Sequence, residues 1–541
     1  MKVFKFCKKF IFKYKCLFSI YILFNILIGI IAVVTPLLTG KIVDSLTLLK
    51  SKEILINYCI LFILIKSINI TADFLVKYIY IKLQIKSAYA LNKYIIEHLQ
   101  NITMSYFDNV DTVNLNQRIN NDSNSIIIFC ISAIINIVVN AITIIFVTIL
   151  LLKINYRITI IMLILILSYI LLYSLFKRPL YQKSFESKEA QSSFFSKLNE
   201  QLYYIKFIKI NSTKVFFLKR LDMSFNKLAK KLISLQKLLC LFNCCDSIIG
   251  VISQLCIFLL GGYEVINGNM TIGSYVIMAN YFSILMSSSR YFFNLGKNYQ
   301  ENLASYNRIM DILETPQQKE GYMEINNIEN IKITNLTFNY REKNIYKNYN
   351  VEFEKGKIYS IIGHNGVGKS TLINIIFGLY LNDHEGKISY NNININDIDM
   401  YKARLNNLGL IEQEPILIGD SLINNITLEK NLDIELINKY VSIFGLDSYI
   451  LSLKNGLDTV INEKSSNISG GEKQRIAILR QAIKDPDVMI FDEPTSALDL
   501  DGKIKFKNYL KTIKNNKIII VISHDNHMND IFDEIIDLNN K

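Results

Sequence analysis

The sequence predicts a helical membrane domain of six spans followed by an α/β phosphate-loop nucleotide-binding domain, and three observations carry that expectation. Six apolar stretches of roughly 20 residues, the length of helix that crosses a bilayer core, all lie before residue 300. The charge divides near residue 330: Lys plus Arg outnumber Asp plus Glu by 35 to 19 before it and stand at 25 to 28 after it, so the first part is +16 and the second −3. The second part also holds a strand-like apolar run leading into a glycine-rich loop and a helical stretch. With half of the 541 residues apolar, the chain is not a wholly soluble enzyme, a secreted disulfide scaffold or a disordered regulator. A −3 domain behind six spans also excludes a soluble protein acting on nucleic acid.

The spans run near 17–38, 54–76, 126–152, 158–176, 238–262 and 272–293, within a membrane domain covering 1–314. Lys2, Lys5, Lys8, Lys9, Lys13 and Lys15 precede the first span, which places the N-terminus in the cytoplasm by the positive-inside rule. That first apolar run is too long for a signal-peptide core and is followed by no small-residue cleavage site, so it reads as an uncleaved span. The segments then facing outward are short, one being only Lys153 to Arg157, whereas 77–125 and 177–237 face inward and are long. The latter carries 14 Lys or Arg against four acids, in agreement with the orientation. Both inward segments read as helical, so the spans are expected to extend into the cytoplasm as long hairpins with tips near 107–117 and 204–211.

Charges within spans are few. Lys66 and Asp73 share a helix face, and Asp73 and Lys77 form an i,i+4 pair. They read either as the lining of a polar cavity or as snorkelling groups with a structural ion pair. Asn136 and Asn140, also i,i+4, admit the same cavity reading or a helix-to-helix hydrogen bond. All eight cysteines lie in the hydrophobic half without C-x-x-C spacing or a nearby His, so they read as inert thiols rather than a metal or disulfide framework.

Residues 315–330, with Pro316 and Gly321, read as a linker, and 331–541 as the nucleotide-binding domain, with short β-rich runs alternating with helical stretches around a mostly parallel sheet. Strand 358–362 runs into Gly363, His364, Asn365, Gly366, Val367, Gly368, Lys369, Ser370 and Thr371, the G-x-x-x-x-G-K-[ST] phosphate loop in its strand-before, helix-after context. There glycines let backbone N–H groups close on phosphates, the helix N-terminus adds its dipole, Lys369 reaches the β- and γ-phosphates, and Ser370 binds Mg²⁺. A second buried strand, 488–491, ends in Asp492 and Glu493. An Asp there holds Mg²⁺ beside the loop, and the adjacent Glu polarises the attacking water.

Between these two motifs stands Ile468, Ser469, Gly470, Gly471, Glu472, which resembles the LSGGQ signature of ATP-binding cassette proteins. The remaining cassette motifs follow in family order. Tyr340 resembles the aromatic that stacks on adenine, Gln413 the Q-loop glutamine and Mg²⁺ ligand, 496–499 the D-loop, and His524 the switch histidine. In the membrane half, 36–44 and 261–273 are similar to the corresponding segments of ABC exporters, and 459–463 resembles the exporter X-loop. The signature carries Ile and Glu where the family most often has Leu and Gln, and Asn462 and Ser465 replace X-loop glycines.

The resemblance implies an exporter-type half-transporter, a membrane ATPase with ATP and Mg²⁺ as cofactors. It moves a peptide, drug or lipid-like substrate out of a bacterial cytoplasmic membrane by alternating access, with the ATP-binding domain in the cytoplasm. It implies a second half-transporter as partner, because Ser469, Gly470 and Gly471 cap the nucleotide of the facing chain; a homodimer is favoured by the presence of Glu493, His524 and Lys369, with a heterodimer the alternative. Membrane lipid surrounds the spans. The hairpin tips are expected to dock on the cassettes beside Gln413 and Glu463. A different class, an ATP-gated channel or membrane regulator without net transport, uses the same cassette and is separated from an exporter by accumulation against a gradient.

Overall fold

The computed structural model describes the chain except Met1, Lys50, Asn109, Gln117, Asn382, His524, Lys541 and residues 111–114, 319–320, 341–342, 429–432 and 462–467. It divides into two compact units, Met1–Glu97 with Val113–Glu314, and His98–Thr112 with Thr315–Lys541.

The first unit is helical: α1 (Lys2–Ile11), α2 (Lys15–Asp44), α3 (Lys52–Gln100, its last turn in the second unit), then, past the short α4 (Met104–Phe107) of the second unit, α5 (Ser123–Ile154), α6 (Tyr156–Tyr203), α7 (Ile205–Ile210), α8 (Lys214–Ile266) and α9 (Ile272–Leu313). Five helical stretches among the described residues are long and apolar enough to cross a membrane: Lys2–Leu48, Lys52–Gln100, Arg118–Ile154, Tyr156–Tyr203 and Lys214–Ile266. The sixth expected span lies in α9, 42 residues long, whose apolar stretch is diluted by Asn280, Ser283, Ser287, Ser288 and Ser289. The helices run far past their apolar stretches, as 49, 48 and 53 residues in α3, α6 and α8 attest. Helix α1 lies ahead of the first span as a separate amphipathic piece, burying Val3, Cys7, Phe10 and Ile11 and exposing Lys5, Lys8 and Lys9, the pattern of an interfacial helix.

Two chain segments that stood out in the sequence owe their form to one contact. Asp44, at the end of α2, accepts a hydrogen bond from Thr271 Oγ1 at 3.0 Å and from the Gly273 N–H at 2.8 Å, capping α9 with a carboxylate where orphan N–H groups and the helix dipole favour one. Helix α2 comes so near that a Cβ on Gly40 would fall 2.3 Å from Ile277 and one on Gly273 2.2 Å from the Gly40 oxygen. At the other end of α9, Arg308 donates to both oxygens of Asp122 at 2.6 and 2.7 Å, and Ser305 joins at 2.9 Å.

The second unit contains β1 (Asn330–Tyr340), β2 (Lys343–Glu354), β3 (Ile358–Ile362), α10 (Lys369–Ile376), β4 (Glu385–Tyr390), β5 (Ile393–Asn394), α11 (Met400–Asn406), β6 (Leu408–Ile411), β7 (Asp420–Ser421), α12 (Leu422–Thr427), α13 (Ile434–Ile443), α14 (Asp447–Ser452), β8 (Val460–Ile461), α15 (Gly470–Lys484), β9 (Val488–Asp492), α16 (Leu500–Ile513), β10 (Ile518–Ile522) and β11 (Glu534–Asp537). Its central sheet has the order β11-β3-β10-β9-β6 and is parallel throughout. A second sheet, β2-β1-β4-β5, is antiparallel. Strands buried on both faces read as unbroken apolar runs, and β10 shows why: Ile518, Ile520 and Ile522 point into one core, Ile519 and Val521 into another. Of the expected linker 315–330, Met323 makes a backbone bridge to Ile398 and Ile328 is buried.

Candidate functional site

Because β3, β6, β9 and β10 are parallel neighbours, their C-terminal ends lie along one edge, where ligands of open α/β sheets collect. Strand β3 delivers the phosphate loop there, β9 delivers Asp492 and Glu493, β6 delivers Gln413, and β10 delivers Ser523. His524 follows Ser523 in sequence and lies outside the described residues, as do Glu463 and Asn467.

In the loop, Gly363, Gly366 and Gly368 take φ of +153°, +78° and +113°, a region that side chains resist. A Cβ at Gly363 would also press within 2.8 Å of Val367. His364, Asn365 and Gly366 form the exposed crest. Lys369 is buried, its ammonium donating to the Gly363 carbonyl at 2.6 Å and the His364 carbonyl at 3.3 Å. Ser370 and Thr371 lie in the first turn of α10. The Ser370 hydroxyl donates to Asp492 Oδ2 at 3.1 Å. The Gln413 amide donates to Glu493 Oε2 at 2.7 Å. Glu493 takes a left-handed φ of +47°, a strained conformation for a non-glycine residue and one that gathers at working sites; its N–H is held by the Ile522 carbonyl at 2.9 Å. Burial holds the Asp492 carboxyl above the usual carboxylate range, opposed by the Ser370 hydrogen bond and reinforced by the Glu493 charge. Ser370, Gln413, Asp492, Glu493 and Lys369 thus form one connected group.

Tyr340 ends β1 in the antiparallel sheet, half-buried and paired with Lys343. Ser469, Gly470 and Gly471 open α15 at the surface. Ser469 is its N-cap, accepting from the Glu472 N–H at 3.2 Å, while the Glu472 carboxylate accepts from the Ser469 N–H at 2.7 Å. This capping box gives a physical use to the Glu that departs from the usual signature Gln. Arg475, on α15, pairs with Asp499 at 2.7 Å, and Asp499 caps α16 through the Gly502 N–H.

Sequence reading missed two supports of the loop. The buried Tyr346 on β2 donates its hydroxyl to the Gly368 carbonyl at 2.9 Å, and Asn539 accepts from the His364 N–H at 2.9 Å. Neither belongs to a spacing motif, so no local signal marks them. Of the first expected hairpin tip, Asn109, 111–114 and Gln117 lie outside the described residues. Residues His98–Thr112 cluster with the second unit, and there the Met104 N–H donates to the Leu379 carbonyl at 3.1 Å and the Tyr380 hydroxyl donates to Asp108 at 3.0 Å. Burial together with Asp108 pushes the Tyr380 hydroxyl pKa well above its ordinary value. The second tip is the short α7, which exposes Ile205, Phe207 and Ile210.

The family model for the ABC transporter transmembrane region matches residues 18–289, and that for the ABC transporter matches 346–496. The ATP-dependent lipid A-core flippase of Wigglesworthia glossinidia brevipalpis is 31% identical over 265 residues, 47% of this chain and 45% of the relative. The ATP-binding/permease protein YgaD of Bacillus subtilis (strain 168), whose name carries a provisional assignment to multidrug export, is 24% identical over 457 residues, 81% of this chain and 77% of the relative. The chain spans about half the length of the flippases it matches. A solved bacterial Atm1-family ABC exporter with ATP bound superposes with a TM-score of 0.83 at 18% identity, covering 96% of this chain and 93% of that one, so the two share a fold. The chain belongs to the ABC transporter family, with the transmembrane region and the ATP-binding domain on one polypeptide.

Proposed function

We propose that the chain is one half of an ATP-driven exporter. The observation that carries the reading is the convergence of the phosphate loop, Asp492, Glu493 and Gln413 at one sheet edge in a polypeptide that also carries helices long enough to cross a membrane.

Phosphoryl transfer asks a protein for positioning and charge stabilisation more than for covalent chemistry. Lys369, at the mouth of the loop, neutralises the β- and γ-phosphates. Tyr340 stacks on adenine, and His524 contacts the γ-phosphate. Glu493, held by Gln413 and its strained backbone, orients water and accepts its proton. Ser370 and Asp492 offer the oxygen-only donors that Mg²⁺ takes, with Gln413 beside them, so these residues fit the ion. When bound, Mg²⁺ supplies charge neutralisation to the phosphate oxygens.

The exposed Ser469 and Gly470, with the half-buried Gly471 beside them, have no role on their own chain's nucleotide and face a second copy, with the intact Glu493 favouring a homodimer over a mixed pair. The exposed apolar α7 tip supports the same pairing. The contact of Asp108 with Tyr380 links cassette closure to the α3 hairpin. The basic N-terminal segment supports a cytoplasmic cassette, and the names of the relatives support a lipid-like or drug-like cargo.

The test is Mg²⁺-ATPase activity of the purified chain in lipid nanodiscs. Activity is expected, and Glu493→Gln lowers it about 10²–10⁴-fold, the usual contribution of a general base, while nucleotide binding persists. Activity untouched by Glu493→Gln, or no activity in the unaltered chain despite ATP binding, overturns the homodimeric ATPase.

A further inference from the structure

Helix α6 carries no charge between Arg157 and Lys177. About 20 residues of helix rise about 30 Å, the thickness of the bilayer core, so in the orientation proposed above Lys177 and Arg178 stand at its cytoplasmic boundary. At this depth α6 and α9 enclose a cavity of about 220 Å³ lined by Tyr173, Lys177, Arg178, Tyr181, Gly296 and Gln300, with Leu180. Gly296 keeps the space open opposite Tyr173, whose hydroxyl oxygen lies 3.8 Å from where a Cβ would be.

The charges along this seam are not all alike. One turn deeper, Arg290 lies 5.8 Å from the centre of the Tyr169 ring and gives two N–H groups to Asp246 Oδ1, at 3.1 and 2.9 Å. That cation is matched within the protein. Lys177 and Arg178, by contrast, have neither a hydrogen-bond nor an ion-pair partner among the described residues. Two unmatched cations, tyrosine side chains and an amide, set where the apolar stretch meets water, make a site for an anion that belongs to the membrane. Guanidinium and ammonium groups are the usual recognisers of phosphate oxygens, and basic pockets between spanning helices on the cytoplasmic side hold anionic headgroups. The volume falls below the roughly 300–1,000 Å³ that encloses a whole drug-sized ligand, so it suits a headgroup whose acyl chains stay in the bilayer beside α6.

We propose that the cavity between α6 and α9 binds the phosphate headgroup of an anionic phospholipid through Lys177 and Arg178. The inference rests on the membrane orientation proposed above and not on ATP hydrolysis.

The chain has no tryptophan, so Tyr173→Trp places a lone fluorophore in the cavity of the full-length protein. In phosphatidylcholine nanodiscs, acyl-brominated phosphatidylglycerol is expected to quench it more than brominated phosphatidylcholine at equal mole fraction. Adding Lys177→Gln and Arg178→Gln abolishes the preference, each cation accounting for about fivefold in occupancy. A second reporter, Leu171→Trp, at a position 67% exposed on the same helix, senses the general attraction of a basic protein for anionic lipid and shows little preference. Equal quenching by the two lipids at position 173, equal preference at both positions, or a preference that survives the double substitution means that the two side chains only snorkel, and overturns the proposal. Should Tyr173→Trp disturb the fold, retention of phosphatidylglycerol by native mass spectrometry compares the unaltered chain with Lys177→Gln, Arg178→Gln; equal retention overturns the site. Mg-ATP then separates sources: quenching by a resident lipid persists, and quenching by cargo falls with turnover. Because quenching needs no hydrolysis, a failed ATPase assay leaves this result standing.

Discussion

Asp492 combines a buried carboxyl with a hydroxyl donor, 3.1 Å away on Ser370, and a second acid next in the chain. Burial disfavours its charged form, so without metal the folded chain takes up a proton at Asp492 more readily than the unfolded chain does. Protonation there favours the fold, and the contribution fades as pH rises through the raised pKa. Metal binding has the opposite demand, because only the carboxylate is a ligand. The Mg²⁺-dependent part of nucleotide affinity is therefore expected to be lost, on acidification, at a higher pH than an exposed Asp would set. Asp492→Asn removes that dependence and weakens the Mg²⁺ effect at all pH. Titration of a fluorescent ATP analogue with and without Mg²⁺ across the carboxylate range checks both, and an unchanged pH profile in Asp492→Asn counts against the assignment.

Helix ends carry much of the local logic. In α15 the Ser469 and Glu472 pair satisfies two backbone donors, and in α9 the local Thr271 cap on the Ser274 N–H is joined by Asp44, 229 residues away in sequence from Gly273. A local cap is visible in the chain as S-x-x-E, whereas Asp44 is visible only as an acid after an apolar run. Asp44→Ala removes a charged acceptor from two donors that stay half-buried, and is expected to cost about 2 kcal/mol. The thermal unfolding midpoint of the detergent-solubilised chain should fall, and Asp44→Asn, which keeps one acceptor, should fall less. An equal midpoint for Asp44→Ala would show that water replaces the carboxylate.

Two chains are needed to complete each nucleotide site in the reading proposed here, and this has a quantitative consequence. Position 470 tolerates a side chain within its own chain, the nearest contact for a Cβ being Ala497 at an ordinary 3.6 Å. Gly470→Asp should therefore fold and yet obstruct the facing nucleotide, while Lys369→Ala disables its own. Each homodimer is inactive, but a mixed dimer keeps one site with both halves intact. Co-expression at equal levels is expected to restore roughly a quarter of the unaltered activity, half the dimers being mixed and half their sites intact, given closed two-fold pairing. No recovery despite demonstrated mixed dimers would mean that each chain completes its own site.

Much of the cassette was legible because its chemistry is local in sequence: glycines that must take positive φ, a lysine and hydroxyl at fixed offsets, and acids after an apolar strand. The spans were legible because a bilayer imposes length and apolarity on contiguous residues. Contacts across the chain were not. Tyr346 and Asn539 hold the phosphate loop from 22 and 175 residues away, Asp246 neutralises Arg290 across two helices, and Met104 and Asp108 meet Leu379 and Tyr380. Sequence carries what a residue needs from its neighbours along the chain, and that was enough for a helical membrane part followed by an ATP-binding domain. Which side chains meet depends on sheet order and helix packing, since hydrogen bonds and ion pairs act over a few ångströms of space and are indifferent to distance along the chain.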